Sequence, residues 1–369
     1  MSAILLNCWY YIYYNNREEL ECLHEQNGVD GMTKLSELIK VFKRNYSDVL
    51  GVDVGSSGTK VVRIKWIKGH AVLVAADVLP ALVLPEAAAA ESFSSRVPKA
   101  LKARYVALAT SQGGSIIKLL TFPLHTGKST DEQILALMGI ANSSEFRIAY
   151  EPVLETRVES RVLAVALPDS TARSLCGLFP LGAPAPCSIE ISAVASLTSY
   201  QKGLGITHAD DCVAVIDCGA TVTLVSFYFR GALSLIRKFD FGANTILKKL
   251  QDNLGVDQEV ATGIVNEGSF DVSRIVHQAM ENFLQQLIIS WDYVERRENT
   301  RVVKVFAGGG GAMLRLWGME IEGTTGQKPV LWNPFEGLVL HAGAFPDRLK
   351  GQESRFSAAI GAALGMLRQ

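Results

Sequence analysis

Two stretches of this chain are written to one plan. "VLGVDVGSSGTKVVRIKW" (49–66) and "CVAVIDCGATVTLVSFYF" (212–229) each run as an apolar strand, an Asp-x-Gly, a few small residues and a second strand rich in β-branched or aromatic residues. Each continues through a tight turn into a third strand, at 71–78 and before Phe239. A repeat at this spacing constrains the fold more than either copy alone. It predicts two similar α/β domains, each with an acid at the same strand end: Asp53 in one and Asp217 in the other. A buried strand needs no carboxylate at its end, so both acids are candidates for holding something charged.

Between the copies, 104–110, 115–123, 147–155 and 161–168 read as strands, and 129–142 and 169–179 as helices. Residues 104–179 are therefore expected to form a small α+β insert. "CSIEISAVASLTSYQ" (187–201) resumes the main fold as a strand and a helix. After the second copy, helices are expected over 242–254, 257–266 and 271–297, then a strand running into "GGGG" at 308–311. The expected division is a first domain of 49–103 with 180–207, the insert, and a second domain of 208–369 whose last helix crosses back toward the first.

Composition excludes several classes. The 369 residues are 48% hydrophobic with a net charge of −1, without the basic surplus of a nucleic-acid binder. The cysteines at 8, 22, 176, 187, 212 and 218 form no CxxC pair and fit neither a zinc site nor a disulfide framework. The apolar run "ILLNCWYYIYY" (4–14) falls short of the about 20 residues a spanning helix needs. Residues 1–48 read as an N-terminal extension. Within it, 32–45 places Leu35, Leu38, Ile39 and Phe42 at helical spacing with Lys34, Lys40, Lys43 and Arg44 elsewhere: a surface helix, or a basic amphipathic segment on anionic lipid.

The Asp-x-Gly turns carry the chemistry. A phosphate chain needs close backbone approach, which glycine permits, with hydroxyls or a lysine for its oxygens. Carboxylates can hold Mg²⁺ through its waters. The first turn offers Asp53, Gly55, Ser56, Ser57, Thr59 and Lys60, and the second Asp217, Gly219, Ala220 and Thr221. Gly308, Gly309, Gly310 and Gly311 add a third glycine turn, suited to a ribose or adenine. The competing reading is three tight turns in a duplicated fold without a ligand, with Lys60 a solvated strand residue and Glu190 a structural acid.

In this order the segments resemble the two phosphate motifs and the adenosine motif of the actin, Hsp70 and sugar kinase superfamily. "IEISAVAS" (189–196) and "SAAIGAALG" (357–365) are similar to its two connecting helices. The insert, "GGGGAML" (308–314), "LWNPFEGL" (331–338) and the final "AALGMLR" (362–368) resemble the type IV pilus assembly protein PilM family, related to FtsA. That resemblance implies two ribonuclease H-like (actin-like) domains with a small α+β insert in the first. It implies ATP or ADP with Mg²⁺ in the cleft, metal held through water by Asp53 and Asp217, and Glu190 orienting a water. It also implies at most a slow ATPase, placed in the cytoplasm against the inner membrane through partners. Those partners are the N-terminal cytoplasmic peptide of a PilN-like protein and other pilus platform and motor components. The chain departs from the superfamily pattern on the adenosine side, at Thr262 and Val265, and at Ala243. An FtsA-like division protein and a small-molecule kinase are the alternatives.

Overall fold

The computed structural model describes residues 46–82, 84, 93–123, 131–179, 184–267 and 270–367. The expected extension, with its helix over 32–45, lies outside the described residues, apart from its last three.

The first copy of the repeat folds as a meander of β1 (Asp48–Gly55), β2 (Gly58–Ile67) and β3 (His70–Leu79). The β1–β2 turn is tight, with Gly55 opposite Gly58 and Asp53 opposite Lys60. β4 (Tyr105–Thr110) then lies parallel to β1. Next come β5 (Ile116–Pro123), helix α1 (Asp131–Met138), β6 (Phe146–Glu155), β7 (Glu159–Pro168) and α2 (Asp169–Gly177). β8 (Ala185–Ile191) runs parallel to β4 and leads directly into α3 (Ser192–Lys202).

The second copy gives β9 (Cys212–Cys218), β10 (Thr223–Phe229) and β11 (Ala232–Phe239). Helices α4 (Ala243–Leu254), α5 (Gln258–Glu267) and α6 (Ser273–Glu298) follow. β12 (Lys304–Gly308), α7 (Arg315–Thr325), β13 (Pro329–Leu331), β14 (Val339–Leu340) and α8 (Ser357–Met366) complete the chain.

The sheets are ordered β14-β3-β2-β1-β4-β8 and β11-β10-β9-β12-β13. Leaving β14 aside, they share one pattern: an antiparallel meander, a fourth strand parallel to the first, and a fifth parallel to the fourth. Both faces of each sheet are covered, which is why β1 and β9 read as near-continuous apolar runs.

Two placements differ from expectation. Tyr105–Thr110, assigned to the insert, is an interior strand of the first sheet. The three-stranded insert sheet, β5-β7-β6, begins after it. A short apolar strand carries no mark of its partner, and β1 lies more than fifty residues upstream. The return to the first sheet also begins before the last helix. β14 pairs with β3, and Phe335, Ala344, Leu349 and Phe356 join the core under β1 and β2.

The insert is packed on both faces. Leu120, Phe122, Val162 and Ala164 meet Ile134 and Met138 of α1. The alternate residues of β7, Leu163, Val165 and Leu167, join Leu175 of α2 in the main core. Ions also tie the insert to the second sheet. Arg161 reaches Glu298 at 3.1 Å, Arg297 Nη2 donates to both Glu159 oxygens at 3.0 Å, and Ser234 donates to Glu298 at 2.5 Å. Lys238 donates to the Ser115 carbonyl at 2.9 Å.

α8 crosses α3 in backbone contact. A Cβ built on Gly361 would fall 1.7 Å from the Ala195 carbonyl oxygen. Ala358, Ala359, Ala362 and Ala363 are all buried along the same helix. Close-packed interiors absorb extra volume poorly. Gly361→Ala is therefore expected to destabilise the protein by roughly 1–3 kcal/mol or more, read as a fall in thermal midpoint, with a larger fall for Gly361→Val.

Candidate phosphate-binding cleft

Five parallel strands, β1, β4 and β8 of the first sheet and β9 and β12 of the second, end at one cleft. Ligands of open α/β sheets bind outside such carboxyl ends. A serine or a glycine follows each strand there: Ser56 and Ser57 after β1, Ser111 after β4, Ser192 after β8, Gly219 after β9 and Gly309 after β12, all lining the cleft. Counting the space open to solvent, it encloses about 620 Å³.

Asp53 and Asp217 both line this cleft. Asp53 is nearly buried and accepts a 2.5 Å hydrogen bond from Ser192 Oγ. Lys60 Nζ lies 3.7 Å from its other oxygen and donates to the Gly58 carbonyl at 3.2 Å. Asp217 sits deep in the protein with one edge open to the cleft, and Ser357 Oγ donates to it at 3.2 Å. Burial raises the Asp217 carboxyl above its ordinary range, and the Asp53 charge adds to the rise. Hydrogen bonds from Ser196 and Ser357 oppose it.

The glycines leave the room this arrangement needs. Gly309 adopts φ +79°, and a Cβ on it would lie 2.5 Å from Asp217 Oδ1. A Cβ on Gly55 would lie 2.9 Å from Lys60 Nζ. The second hairpin is further held against α4, where Ala243 and Asn244 donate to the Gly219 and Ala220 carbonyls at 3.0 and 2.8 Å.

Of the residues singled out in the sequence, the structure brings Asp53, Gly55, Ser56, Ser57, Lys60, Asp217, Gly219, Ala220, Gly309 and Gly310 together in the lining. It leaves five outside. Thr59 alternates to the opposite face of β2 from Lys60 and donates to the Pro80 carbonyl. Thr221 is exposed at the hairpin tip. Gly308 packs on Trp332, and Gly311 on Cys218 and Gly219. Glu190 is the fifth. Its neighbours Ile189 and Ile191 face the main core, so strand alternation turns Glu190 to the α8 side, against Gly365. It does not line the cleft, and Ser192 two residues on does. On the adenosine side, Val265 is buried in the second core and Thr262 bonds its own helix at Gln258.

Ser111, Ser192, Ser357 and Arg355 line the cleft without having been singled out. The signal for Ser111 and Ser192 was available: a polar residue just past an apolar parallel strand. Nothing local marks Arg355 or Ser357, which reach the cleft from the segment entering α8.

Comparison with curated proteins returns no match. A family model described as type IV pilus assembly protein PilM matches residues 188–367. That span, just under half of the chain, is similar to the PilM family. A solved PilM–PilN type IV pilus biogenesis complex matches at TM-score 0.67 and 19% identity, over 87% of this chain and 99% of that one. A protein of actin-like ATPase fold from Bacteroides thetaiotaomicron matches at TM-score 0.44 and 11% identity, over 88% and 98%. The two-sheet α/β fold is shared with the PilM–PilN structure. The matched segment contains Ser192, Asp217, the glycine turn and Ser357, and so most of the cleft. Its "NPFEGL" is a turn in which Asn333 Oδ1 accepts from Phe335 N–H at 3.0 Å, with Trp332 and Phe335 buried in the cores. No helix among the described residues is long and apolar enough to cross a membrane.

Two outcomes follow from the buried acids. Asp217→Asn removes a charge that the fold holds at a cost, so the ligand-free variant is expected to melt above wild type. Glu190 ordinarily titrates near 4.5, and burial pushes it up to about 8 against the pull of Lys202. Burial moves Lys202 down to about 8, and its ammonium donates to the Leu364 carbonyl at 2.6 Å. Between about 4.5 and about 8 the folded chain keeps a Glu190 proton that the unfolded chain has released. The Glu190 contribution to stability therefore falls as pH rises through that window. Thermal melts from pH 5 to 8 should show Glu190→Gln gaining on wild type as pH increases.

Proposed function

We propose that this protein is a nucleotide-responsive scaffold of type IV pilus or related secretion assembly. It takes ATP or ADP with Mg²⁺ between the two Asp-x-Gly hairpins. It binds the short N-terminal cytoplasmic peptide of a PilN-like inner-membrane protein, and through it meets the other platform and motor components at the cytoplasmic face of the membrane. The observation that carries the nucleotide reading is the meeting of Asp53 and Asp217, from duplicated hairpins, in one cleft. The PilM-family match carries the pilus reading.

The donor set suits the group. Mg²⁺ keeps several waters and is held by one or two carboxylates with substrate phosphates, and the lining supplies two carboxylates. Bound there, the ion would neutralise phosphate charge. Asp53 and Asp217 would hold its waters, Lys60 would meet phosphate oxygens, and the Ser56, Ser57, Gly219 and Gly309 backbones would approach the chain. The lining holds no third carboxylate, so none remains to take a proton from a substrate hydroxyl. Glu190 is turned away. Turnover is accordingly slow at most, and nucleotide acts on conformation.

Calorimetric titration of Mg²⁺–ATP should show binding to wild type and at least a tenfold loss in Asp53→Ala. A PilN-like tail peptide should be retained by wild type, with nucleotide changing its affinity. Absence of Mg²⁺–ATP binding to wild type would sink the nucleotide reading, and no peptide capture in either nucleotide state would sink the pilus reading.

A further inference from the structure

Arg355 is the one cation of the lining with no acid of its own. We propose that it is a second phosphate-binding group, gripping a nucleotide's phosphate chain from the side of the β12 glycine turn while Lys60 serves the first hairpin. This rests on the nucleotide reading above and adds to it a specificity for phosphorylated ligands over the bare nucleoside.

The geometry has three parts. Arg355 is half-buried and lines the cleft beside Gly309 and Gly310. Its stem lies along the glycine turn, where a Cβ built on Gly310 would meet Nε at 3.8 Å and Cγ at 3.9 Å. Gln352 Oε1, 2.5 Å from Nη1, is its only side-chain acceptor among the described residues. The remaining guanidinium donors keep their fixed fork, a shape that matches phosphate oxygens.

The charges leave a place for an anion. Asp53 is engaged by Ser192 and Lys60, and Asp217 by Ser357. Among the described residues no carboxylate pairs with Arg355. Its burial is uncompensated, and burial draws its pKa down. A cation held out of water without a counter-charge is a net cost to the fold. An arriving phosphate removes that cost and gains a charge-assisted bond. The segment that carries Arg355 is fixed from both sides: Ser354 accepts from Gly309 N–H at 3.0 Å, and Ser357 reaches Asp217. Gln352 is the positioning residue, holding one edge of the guanidinium so that the other faces the ligand.

The test is titration of the full chain with Mg²⁺–ADP and with adenosine, in wild type, Arg355→Gln and Arg355→Lys, with a thermal melt of each. Arg355→Gln should weaken Mg²⁺–ADP roughly ten- to a hundredfold and leave adenosine within twofold of wild type. Arg355→Lys should recover part of the loss, since it restores a charge without the fork. It also carries the test if the Gln variant fails to fold. Mg²⁺–ADP affinity unchanged in Arg355→Gln would overturn the proposal while leaving the nucleotide reading intact. So would equal losses for adenosine and Mg²⁺–ADP, which would mean that Arg355 only shapes the walls. Absence of Mg²⁺–ADP binding to wild type would overturn both.

Discussion

The crossing of α3 and α8 is the contact on which the rest of the structure depends. Gly361 sits against the Ala195 backbone, and α8 packs along β1 of the first sheet. The segment entering α8 reaches the second sheet, through Ser354 to Gly309 and Ser357 to Asp217. One short run of chain, 354–361, thus fastens the glycine turn of one sheet to the helices on the other. Small residues make this possible because only they let two helix backbones approach so closely. The carboxyl ends of the parallel strands are thereby held around a common gap.

That gap is electrostatically costly, and the cost is informative. Asp217 is raised by burial and by Asp53, with hydroxyls from Ser196 and Ser357 as partial compensation. Lys60 lies in ion-pair range of Asp53, and among the described residues no cation forms an ion pair with Asp217, which Lys60 reaches only through its field. A fold has no structural reason to collect two acids, a lysine and an unpaired arginine at the ends of apolar strands. Strain of this kind is characteristic of sites that await a charged ligand. Glu190 and Lys202 influence each other electrostatically outside the cleft, against the α8 end near Leu364 and Gly365.

The insert adds a mechanical link. Its β7 is tied by Arg161 and Glu159 to Arg297 and Glu298 at the end of α6, and Ser115, just before β5, accepts from Lys238 of β11. The insert grows from the first sheet yet is anchored to the second. The insert thus bridges the two sheets through contacts that lie outside the cleft.

The sequence by itself determined the duplicated meanders, the acids that close their first strands, and the helices from 243 to 298. These are local patterns: period-2 alternation, tight glycine turns and helical spacing within a few residues. Tertiary structure alone decided the rest. It placed Tyr105–Thr110 inside the first sheet, because strand pairing is a long-range choice that a six-residue apolar run does not record. It turned Glu190 away from the cleft, because the face a strand residue takes depends on what covers each side of the sheet. It brought Arg355 and Ser357 to the cleft from more than a hundred residues beyond Asp217, because their approach is set by the helix crossing and by no feature of their own segment.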